Sequence, residues 1–240
     1  MTKLTRFLRK PPREKAAAVL ATVRSAAHTY QDWGRVYPWV VANHIDFRSG
    51  LGDSSYLLHG LVRSMKPNLC VEIGSARGRS ACFIGLALKD NGRGKLIAID
   101  PHKSTEWNDS DSVETIDIIR DNIRCLGIEK QVEIRRQTSA EAAQGWTGRI
   151  DLIFIDGDHS YEGVKRDWDL FSPHLAEFGV AVFHDTMWDQ PPYQNQARAD
   201  MDVPRFLDEL REAGYPVITI DQDYGVSLVQ ATRGGHKLGA

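Results

Sequence analysis

The feature that most constrains this chain is a regular alternation of short apolar runs with longer segments that suit helices. Five such runs follow one another from residue 69 onward, and each is bounded by polar or glycine-containing residues. They are residues 69–73, 95–100, 132–135, 150–156 and 179–184. Short buried strands that alternate with amphipathic helices are typical of a parallel sheet covered on both faces. Right-handed crossovers then predict a doubly wound α/β fold.

The segments between these runs complete a Rossmann-like sheet of seven strands. Helices are predicted at residues 55–65, 78–90, 113–126 and 161–175, with a short one after Ser139. Two further apolar runs, 215–220 and 225–229, are separated by too few residues for a parallel crossover. We therefore expect them to pair antiparallel at one edge of the sheet. Residues 185–203 show no regular pattern and are predicted to form an irregular lid over a binding site.

The chain divides into three parts by this pattern. Residues 1–55 are predicted to form a helical extension, either a substrate cap or the contact of a homo-oligomer. Residues 56–232 would form the main domain, and residues 233–240 a flexible tail. Thirty basic against thirty-two acidic residues leave a net charge of −2, which argues against a nucleic-acid partner.

Other features of composition predict a soluble, cytoplasmic protein. The basic amino terminus lacks the apolar run of a secretory signal, and no stretch approaches the ~20 apolar residues of a membrane span. Cys70, Cys82 and Cys125 are widely spaced and stand among apolar residues. We interpret all three as reduced thiols of the core.

The loop after the first strand has the sequence of a ligand-binding turn. It runs from Glu72 through Gly74 and Gly78 to Ser80. A phosphate-binding P-loop would end in Gly-Lys-Ser/Thr, and a dinucleotide loop would carry a third glycine; both features are missing. The Glu72 carboxylate would also repel phosphates, so a cationic ligand suits the loop better. Asp100, at the end of the second strand, can accept hydrogen bonds from a ribose diol.

Acidic and imidazole side chains follow the fourth and fifth strands. Asp156, Asp158 and His159 lie in one short run, and Asp185 ends the next strand. Neighbouring strands are ~4.8 Å apart, so Asp156 and Asp185 can converge on one divalent cation. An imidazole with a pKa near ~6.5 can accept a proton from a hydroxyl group. The alternative is that Asp158 and Asp185 only cap the segments that follow, with His159 at the surface.

A nucleoside with a positive charge points to S-adenosylmethionine, and residues 56–230 resemble the class I S-adenosylmethionine-dependent methyltransferases. The run Asp-Gly-Asp-His-Ser-Tyr-Glu-Gly at 156–163 resembles the subset of metal-dependent O-methyltransferases that act on catechols and macrolide sugars. The resemblance implies a common set of cofactor-binding residues. They are Glu72, Gly74, Ser75, Gly78, Ser80, Asp100, Ser139 (near the adenine) and Asp156.

The same resemblance assigns roles at the fourth and fifth strands. Asp156 and Asp185 would hold the metal together with His184, and His159 would be the general base. An imidazole at 184 departs from the family pattern, and Thr186 is a weak ligand, so Mn²⁺ is an alternative to Mg²⁺. Trp188 and Tyr193 would contact the substrate.

The resulting hypothesis is a metal-assisted O-methyltransferase that acts on a hydroxyl of a small molecule in natural-product biosynthesis. The acceptor would be a sugar, a polyketide or macrolide, or a phenol. Three alternatives stay open at this stage. They are a hydroxylase of the same fold, a methyltransferase that needs no metal, and a non-catalytic protein that binds the cofactor and pairs with a partner.

Overall fold

The structure is a computed structural model, and it describes residues 49–103, 114–191, 193–195 and 198–231. The predicted extension over residues 1–55 lies outside these ranges up to residue 48. The predicted tail, residues 233–240, lies entirely outside them. Both therefore stay predictions. Within the described ranges, no helix is long and apolar enough to cross a membrane.

Strands and helices alternate along the described chain as the apolar pattern predicts. The strands are β1 (Leu69–Ile73), β2 (Lys95–Ile99), β3 (Val132–Arg135), β4 (Ile150–Ile155), β5 (Leu175–His184), β6 (Val217–Ile220) and β7 (Val226–Gln230). The helices are α1 (Ser54–Met65), α2 (Arg79–Asn91), α3 (Ile116–Leu126), α4 (Ser139–Ala143), α5 (Tyr161–Phe171) and α6 (Val203–Glu212).

All seven strands form one sheet in the order β3-β2-β1-β4-β5-β7-β6. Strands β1 to β5 pair in parallel, whereas β7 pairs antiparallel with both β5 and β6. The predicted doubly wound sheet with an antiparallel edge hairpin is thus confirmed. One face of the sheet packs against Trp168 of α5 and Phe206 of α6 in a continuous apolar core. The carboxyl ends of β1 to β5 therefore meet at a single edge.

Helix α6 is an element that the sequence analysis missed. Its buried side chains Val203, Phe206, Leu207 and Leu210 recur at intervals of three and four residues, the spacing of a helix with one buried face. Pro204 lies in the first turn, where a missing N–H costs nothing. The predicted lid therefore ends where this helix begins.

Two further predictions differ from the structure. The helix predicted to reach residue 175 ends at Phe171, a 3-10 turn with Pro173 follows, and β5 starts at Leu175 instead of residue 179. Cys125 is exposed rather than in the core, whereas Cys70 and Cys82 are buried as predicted. Cys125 lies on the outer side of α3, a helix whose buried face is formed by Ile116, Ile119 and Ile123.

The loops after β1 and β4 touch through Gly74. This residue has a φ of +88°, and a Cβ built on it would lie 2.0 Å from the main-chain oxygen of Asp156. The Asp156 N–H donates to the Ile73 carbonyl across the same junction, at 2.9 Å. Only glycine fits here, both for its conformation and for the close approach of the two chains.

We expect Gly74→Ala to lower the free energy of unfolding by about 3 kcal/mol or more, because the new methyl group overlaps a main-chain atom. Gly92→Ala is the matched control, since Gly92 also has a positive φ, +67°, but has open space around it. It should cost only about 1–2 kcal/mol, the price of the left-handed conformation. Urea unfolding of both variants measures the difference, and equal losses would contradict the close approach.

Candidate active site

Acidic side chains from four adjacent strands gather at the carboxyl edge of the sheet. Glu72 lies in β1, and Asp100, Asp156 and Asp185 follow β2, β4 and β5, in the sheet order β2-β1-β4-β5. Glu72, Asp100 and Asp185 are buried, and Asp156 is half-buried. Charges of one sign held this close repel one another, so each needs its own compensation.

Asp100 is compensated by main-chain N–H groups. Its Oδ2 accepts a hydrogen bond from Ala76 at 2.8 Å, and its Oδ1 accepts one from His102 at 2.5 Å. The carboxylate thereby ties the loop after β1 to the loop after β2. Each oxygen keeps a lone pair that a ribose hydroxyl could use, so the predicted role of Asp100 fits this geometry.

Glu72 is buried together with Ser80, whose hydroxyl donates to Oε1. Among the residues that the structure describes, no group pairs with Oε2. Burial raises the pKa of Glu72 to about 8, and the charges of Asp156 and Asp100 act in the same direction. Glu72 and Ser80 thus form a buried, hydrogen-bonded pair. The Ser75 hydroxyl is also buried, and it has no hydrogen-bond partner among the described residues.

The glycines of this loop have a packing role. Gly78 precedes α2 with a φ of +85°, and a Cβ on it would lie 2.6 Å from Cγ1 of Ile119. Together with Gly74, it lets neighbouring segments come close. Their predicted place beside a cofactor stays a prediction.

Asp156, His184 and Asp185 form a group of three metal-ligand candidates whose ligand atoms lie within 4.8 Å of one another. His184 Nδ1 lies 3.1 Å from Asp156 Oδ1 and 3.3 Å from Asp185 Oδ2. Asp185 has a φ of +59°, a conformation that a non-glycine residue adopts rarely and at a cost. Two carboxylates and one imidazole fit a divalent transition metal such as Mn²⁺ better than Mg²⁺, which prefers oxygen. Thr186 instead accepts a hydrogen bond from Ser227 at 2.9 Å.

His159 lies beside this metal-ligand group. Its Nε2 is 3.4 Å from Asp156 Oδ1 and its Nδ1 is 3.2 Å from Asp185 Oδ2. Burial alone would lower the pKa of His159, but the two carboxylates outweigh it and raise the pKa. They raise the pKa of buried His184 further, and the two imidazoles in turn hold the pKa of Asp156 well below its usual range despite burial. Two imidazoles therefore offset the charges of two carboxylates.

The alternative that Asp158 caps the helix after β4 is wrong. Ser160 caps α5, because its Oγ accepts the N–H of Gly163 at 3.1 Å. Asp158 accepts the Ser160 N–H at 3.0 Å and lies close over Gly163, where a Cβ would collide with it. Asp185 faces the two histidines.

Trp188 and Tyr193 belong to an aromatic cluster whose third member, Tyr224, the sequence analysis missed. Trp188 stacks on Tyr224 with ring centroids 4.4 Å apart, and Tyr193 meets Tyr224 edge-on at 5.4 Å. A Cβ on Gly50 would lie 3.5 Å from the Tyr224 ring and 3.8 Å from Cε1 of His184. The cluster therefore borders the metal-ligand group. Its only signal in the sequence was the position of Tyr224 in the turn between two predicted edge strands.

Ser139 begins α4 and is buried. Burial raises the pKa of Asp167 in α5 to about 6, and the side chain of Ser139 acts in the opposite direction. Asp167 was also missed by the sequence analysis. Its carboxylate is buried beside the loop after β4, with Oδ2 3.3 Å from the point that a Cβ on Gly157 would occupy.

Comparison with known proteins agrees with this architecture. Residues 71–186 match a protein-family model described as a methyltransferase domain. The O-methyltransferase of Bacillus cereus, solved in complex with S-adenosylhomocysteine (SAH), superposes with a TM-score of 0.59 at 16% identity, over 84% of this chain and 91% of that one. TomG of Streptomyces achromogenes, an O-methyltransferase of tomaymycin synthesis solved with S-adenosylmethionine (SAM), gives 0.53 at 19% identity, over 74% and 79%.

A curated relative matches about half of the chain. The uncharacterized protein y4gI of Sinorhizobium fredii is 28% identical over an alignment of 141 residues, and the alignment covers 55% of this chain but only 15% of the relative. The chain thus spans a small part of that relative's length. The family match covers just under half of the chain, and the order of the strands within it agrees with the methyltransferase fold of the solved neighbours.

We expect the proton on buried Glu72 to make stability depend on pH. As pH rises above about 4.5, the unfolded chain releases this proton, whereas the folded chain keeps it up to about 8. The free energy of unfolding should therefore fall across that window, by up to about 1.4 kcal/mol per pH unit. Glu72→Gln should remove this decline in urea unfolding between about pH 5 and pH 8. Glu133→Gln, at an exposed residue of β3, is the control, and an unchanged pH profile in Glu72→Gln would contradict the assignment.

Proposed function

We propose that this protein is a SAM-dependent O-methyltransferase whose acceptor hydroxyl is deprotonated by His159 with the help of a divalent metal ion. The observation that carries the proposal is the meeting of His159 with Asp156, His184 and Asp185 at the carboxyl edge of a methyltransferase sheet. Ligands of open α/β sheets bind at this edge.

The cofactor is supported by the loops that surround this edge. The two solved neighbours hold SAM and SAH. In this chain, Gly74, Ser75 and Gly78 would lie along the methionine part, Asp100 would hold the ribose and Ser139 would lie at the adenine. The acidic edge suits the positive charge of the sulfonium and amino groups. When bound, SAM supplies the methyl group for direct displacement by the acceptor oxygen.

The metal and the base would divide the activation of the acceptor. A divalent ion held by Asp156, His184 and Asp185 would make the acceptor hydroxyl more acidic. His159 accepts the released proton, and Asp156 and Asp185 stabilise the resulting imidazolium at 3.2 to 3.4 Å. No covalent intermediate on the protein is needed. Binding of both reactants with the acceptor oxygen in line with the methyl group would supply much of the rate enhancement.

The acceptor is proposed to be a small hydroxyl compound with an apolar face. The aromatic cluster of Trp188, Tyr193 and Tyr224 borders the metal-ligand group and offers a surface for a planar ring or a sugar. TomG, which resembles this chain in fold, is an O-methyltransferase involved in tomaymycin synthesis.

A second candidate is methyl transfer without a metal. It is favoured by the position of His184 Nδ1, which lies within 3.3 Å of both carboxylates and can offset their charge as an imidazolium. A chelator separates the two, because only the metal-assisted reaction stops when the ion is removed.

We expect Asp185→Asn to weaken Mn²⁺ binding by ~10-fold or more, about 1.4 kcal/mol, while SAH affinity stays within about 2-fold. Asparagine adopts a positive φ as readily as aspartate, so the backbone should not change. Calorimetry with Mn²⁺ and with SAH measures both affinities. Asp208→Asn, at an exposed residue of α6, is the control. Unchanged Mn²⁺ binding in Asp185→Asn would exclude Asp185 as a ligand.

For His159→Gln, we expect kcat with Mn²⁺ and catechol as the probe acceptor to fall ~10²-fold, because the proton acceptor is lost. The affinities for Mn²⁺ and SAH should change little. His174→Gln, in the turn before β5 and so away from the carboxyl edge, should retain activity. If kcat of His159→Gln matched that of the unmodified chain, another group would have to be the base.

A further inference from the structure

The turn between β6 and β7 contains two consecutive non-glycine residues in the left-handed conformation. Asp223 has a φ of +48° and Tyr224 a φ of +65°, values that residues with a side chain adopt rarely and at a cost. The turn is closed by the N–H of Gly225, which donates to the Gln222 carbonyl at 2.9 Å. A strained conformation of this kind persists only where neighbouring contacts hold it. The contacts of the turn therefore decide where the Tyr224 ring lies.

One side of the turn is attached to the segment that follows β5. The N–H of Met187 donates to the Tyr224 carbonyl at 2.9 Å. The next residue, Trp188, stacks on the Tyr224 ring with centroids 4.4 Å apart. Met187 and Trp188 follow closely on Asp185, a member of the metal-ligand group. This attachment therefore ties the turn to that group.

The other side of the turn is attached through the carboxylate of Asp223. Its Oδ2 accepts a hydrogen bond from the N–H of Ser54, the first residue of α1, at 2.7 Å. Its Oδ1 lies 2.6 Å from the point that a Cβ on Gly52 would occupy. The Gly52 carbonyl in turn accepts a hydrogen bond from Arg79, the first residue of α2, at 2.9 Å. Asp223 thus holds the turn against a segment that α2 also holds.

These two attachments place the Tyr224 ring at the border of the metal-ligand group. A Cβ on Gly50 would lie 3.5 Å from Cε2 of Tyr224 and 3.8 Å from Cε1 of His184. Gly50 is exposed and Tyr224 is half-buried, so a molecule from solvent can reach this border. Trp188 covers one face of the Tyr224 ring at an angle of 14°. Two stacked aromatic rings favour a planar ring as the next partner, because flat π surfaces can stack on one another.

We propose that Asp223 is a positioning residue, whose carboxylate holds the Tyr224 ring where it selects acceptors that carry a planar ring. This inference rests on the proposed function, which puts the acceptor hydroxyl at the metal-ligand group. Asp223 acts through Tyr224 and touches neither the acceptor nor the cofactor. Without the carboxylate, the turn loses its attachment to α1, and the ring no longer keeps a fixed place beside His184. The stacking advantage of a planar acceptor then falls.

The test compares two acceptors that carry the same pair of neighbouring hydroxyl groups. Catechol is planar, whereas cis-1,2-cyclohexanediol is not. Calorimetry on the full chain, loaded with SAH and Mn²⁺, measures both dissociation constants. Asp223→Gly removes the carboxylate but adopts the left-handed turn freely, and Tyr224→Ala removes the ring. We expect each variant to reduce the preference for catechol by ~5-fold or more, and the double variant to reduce it little further.

Two further variants separate positioning from general loosening. Asp223→Asn is the matched rescue, because asparagine also tolerates a positive φ and its amide oxygen can accept the Ser54 N–H. Its preference should stay within ~2-fold of that of the unmodified chain. Asn91→Ala is the control for a loosened α1, since Asn91 Nδ2 donates to the Val62 carbonyl at 2.8 Å, near the opposite end of that helix. It should keep the full preference.

The outcomes separate the inference from the function on which it rests. If Tyr224→Ala loses the preference but Asp223→Gly keeps it, Asp223 does not position the ring. If both keep it, Tyr224 does not meet the acceptor. An equal loss of affinity for both acceptors in Asp223→Gly indicates a merely structural role. Each of these three results overturns the inference, as does an unmodified chain that binds both acceptors equally well.

A failure of the proposed function gives a different result, because the unmodified chain would then bind neither acceptor. The fold of each variant is checked by circular dichroism. Should Asp223→Gly not fold, Gly52→Ala takes its place, because its methyl group would displace the Asp223 carboxylate from the other side. It should reduce the preference for catechol in the same way, and an unchanged preference would overturn the inference.

Discussion

The mutual repulsion of four acids at one sheet edge is the constraint on which the rest of this site depends. The parallel arrangement of β2, β1, β4 and β5 brings Asp100, Glu72, Asp156 and Asp185 to neighbouring strand ends. Each is stabilised in its own way. Asp100 accepts two main-chain N–H groups, and Glu72 holds a proton together with the Ser80 hydrogen bond. Asp156 and Asp185 share two imidazoles.

These three arrangements have different consequences for chemistry. The two donors to Asp100 are main-chain N–H groups. Asp100 therefore accepts hydrogen bonds from the loops after β1 and β2 and connects these two loops. The proton on Glu72 removes a charge that would otherwise add to those of its neighbours. The imidazoles beside Asp156 and Asp185 can carry a proton, and in that form they balance the two carboxylates. The edge thus combines two acids held by hydrogen bonds, Asp100 and Glu72, with a pair, Asp156 and Asp185, that faces two imidazoles.

The sheet was predictable because its signals are local, whereas several site residues depend on contacts that no local pattern encodes. Apolar runs and the short connection before β7 were enough to predict the parallel sheet and its antiparallel edge hairpin. Helix α6 had an equally clear apolar spacing, but it follows a long irregular segment that suggested a lid. Asp167 lies in a helix rich in charged residues, where a carboxylate is normally taken to face water. Its burial depends on the neighbouring loop at Gly157, which lies outside the helix. Tyr224 was missed because its partner rings, Trp188 and Tyr193, lie about thirty residues away in the sequence.

The glycines show why a ligand loop and a packing loop can look alike in sequence. Both need a positive φ and the absence of a Cβ, so Gly74 and Gly78 fit either interpretation. In the structure, the atom that excludes a Cβ at Gly74 is the main-chain oxygen of Asp156, which belongs to the metal-ligand group. The close approach of the two loops therefore fixes where Asp156 stands relative to the loop that would hold the cofactor. A glycine that meets protein rather than ligand can still determine the site, because it sets the distance between the groups that meet the ligand.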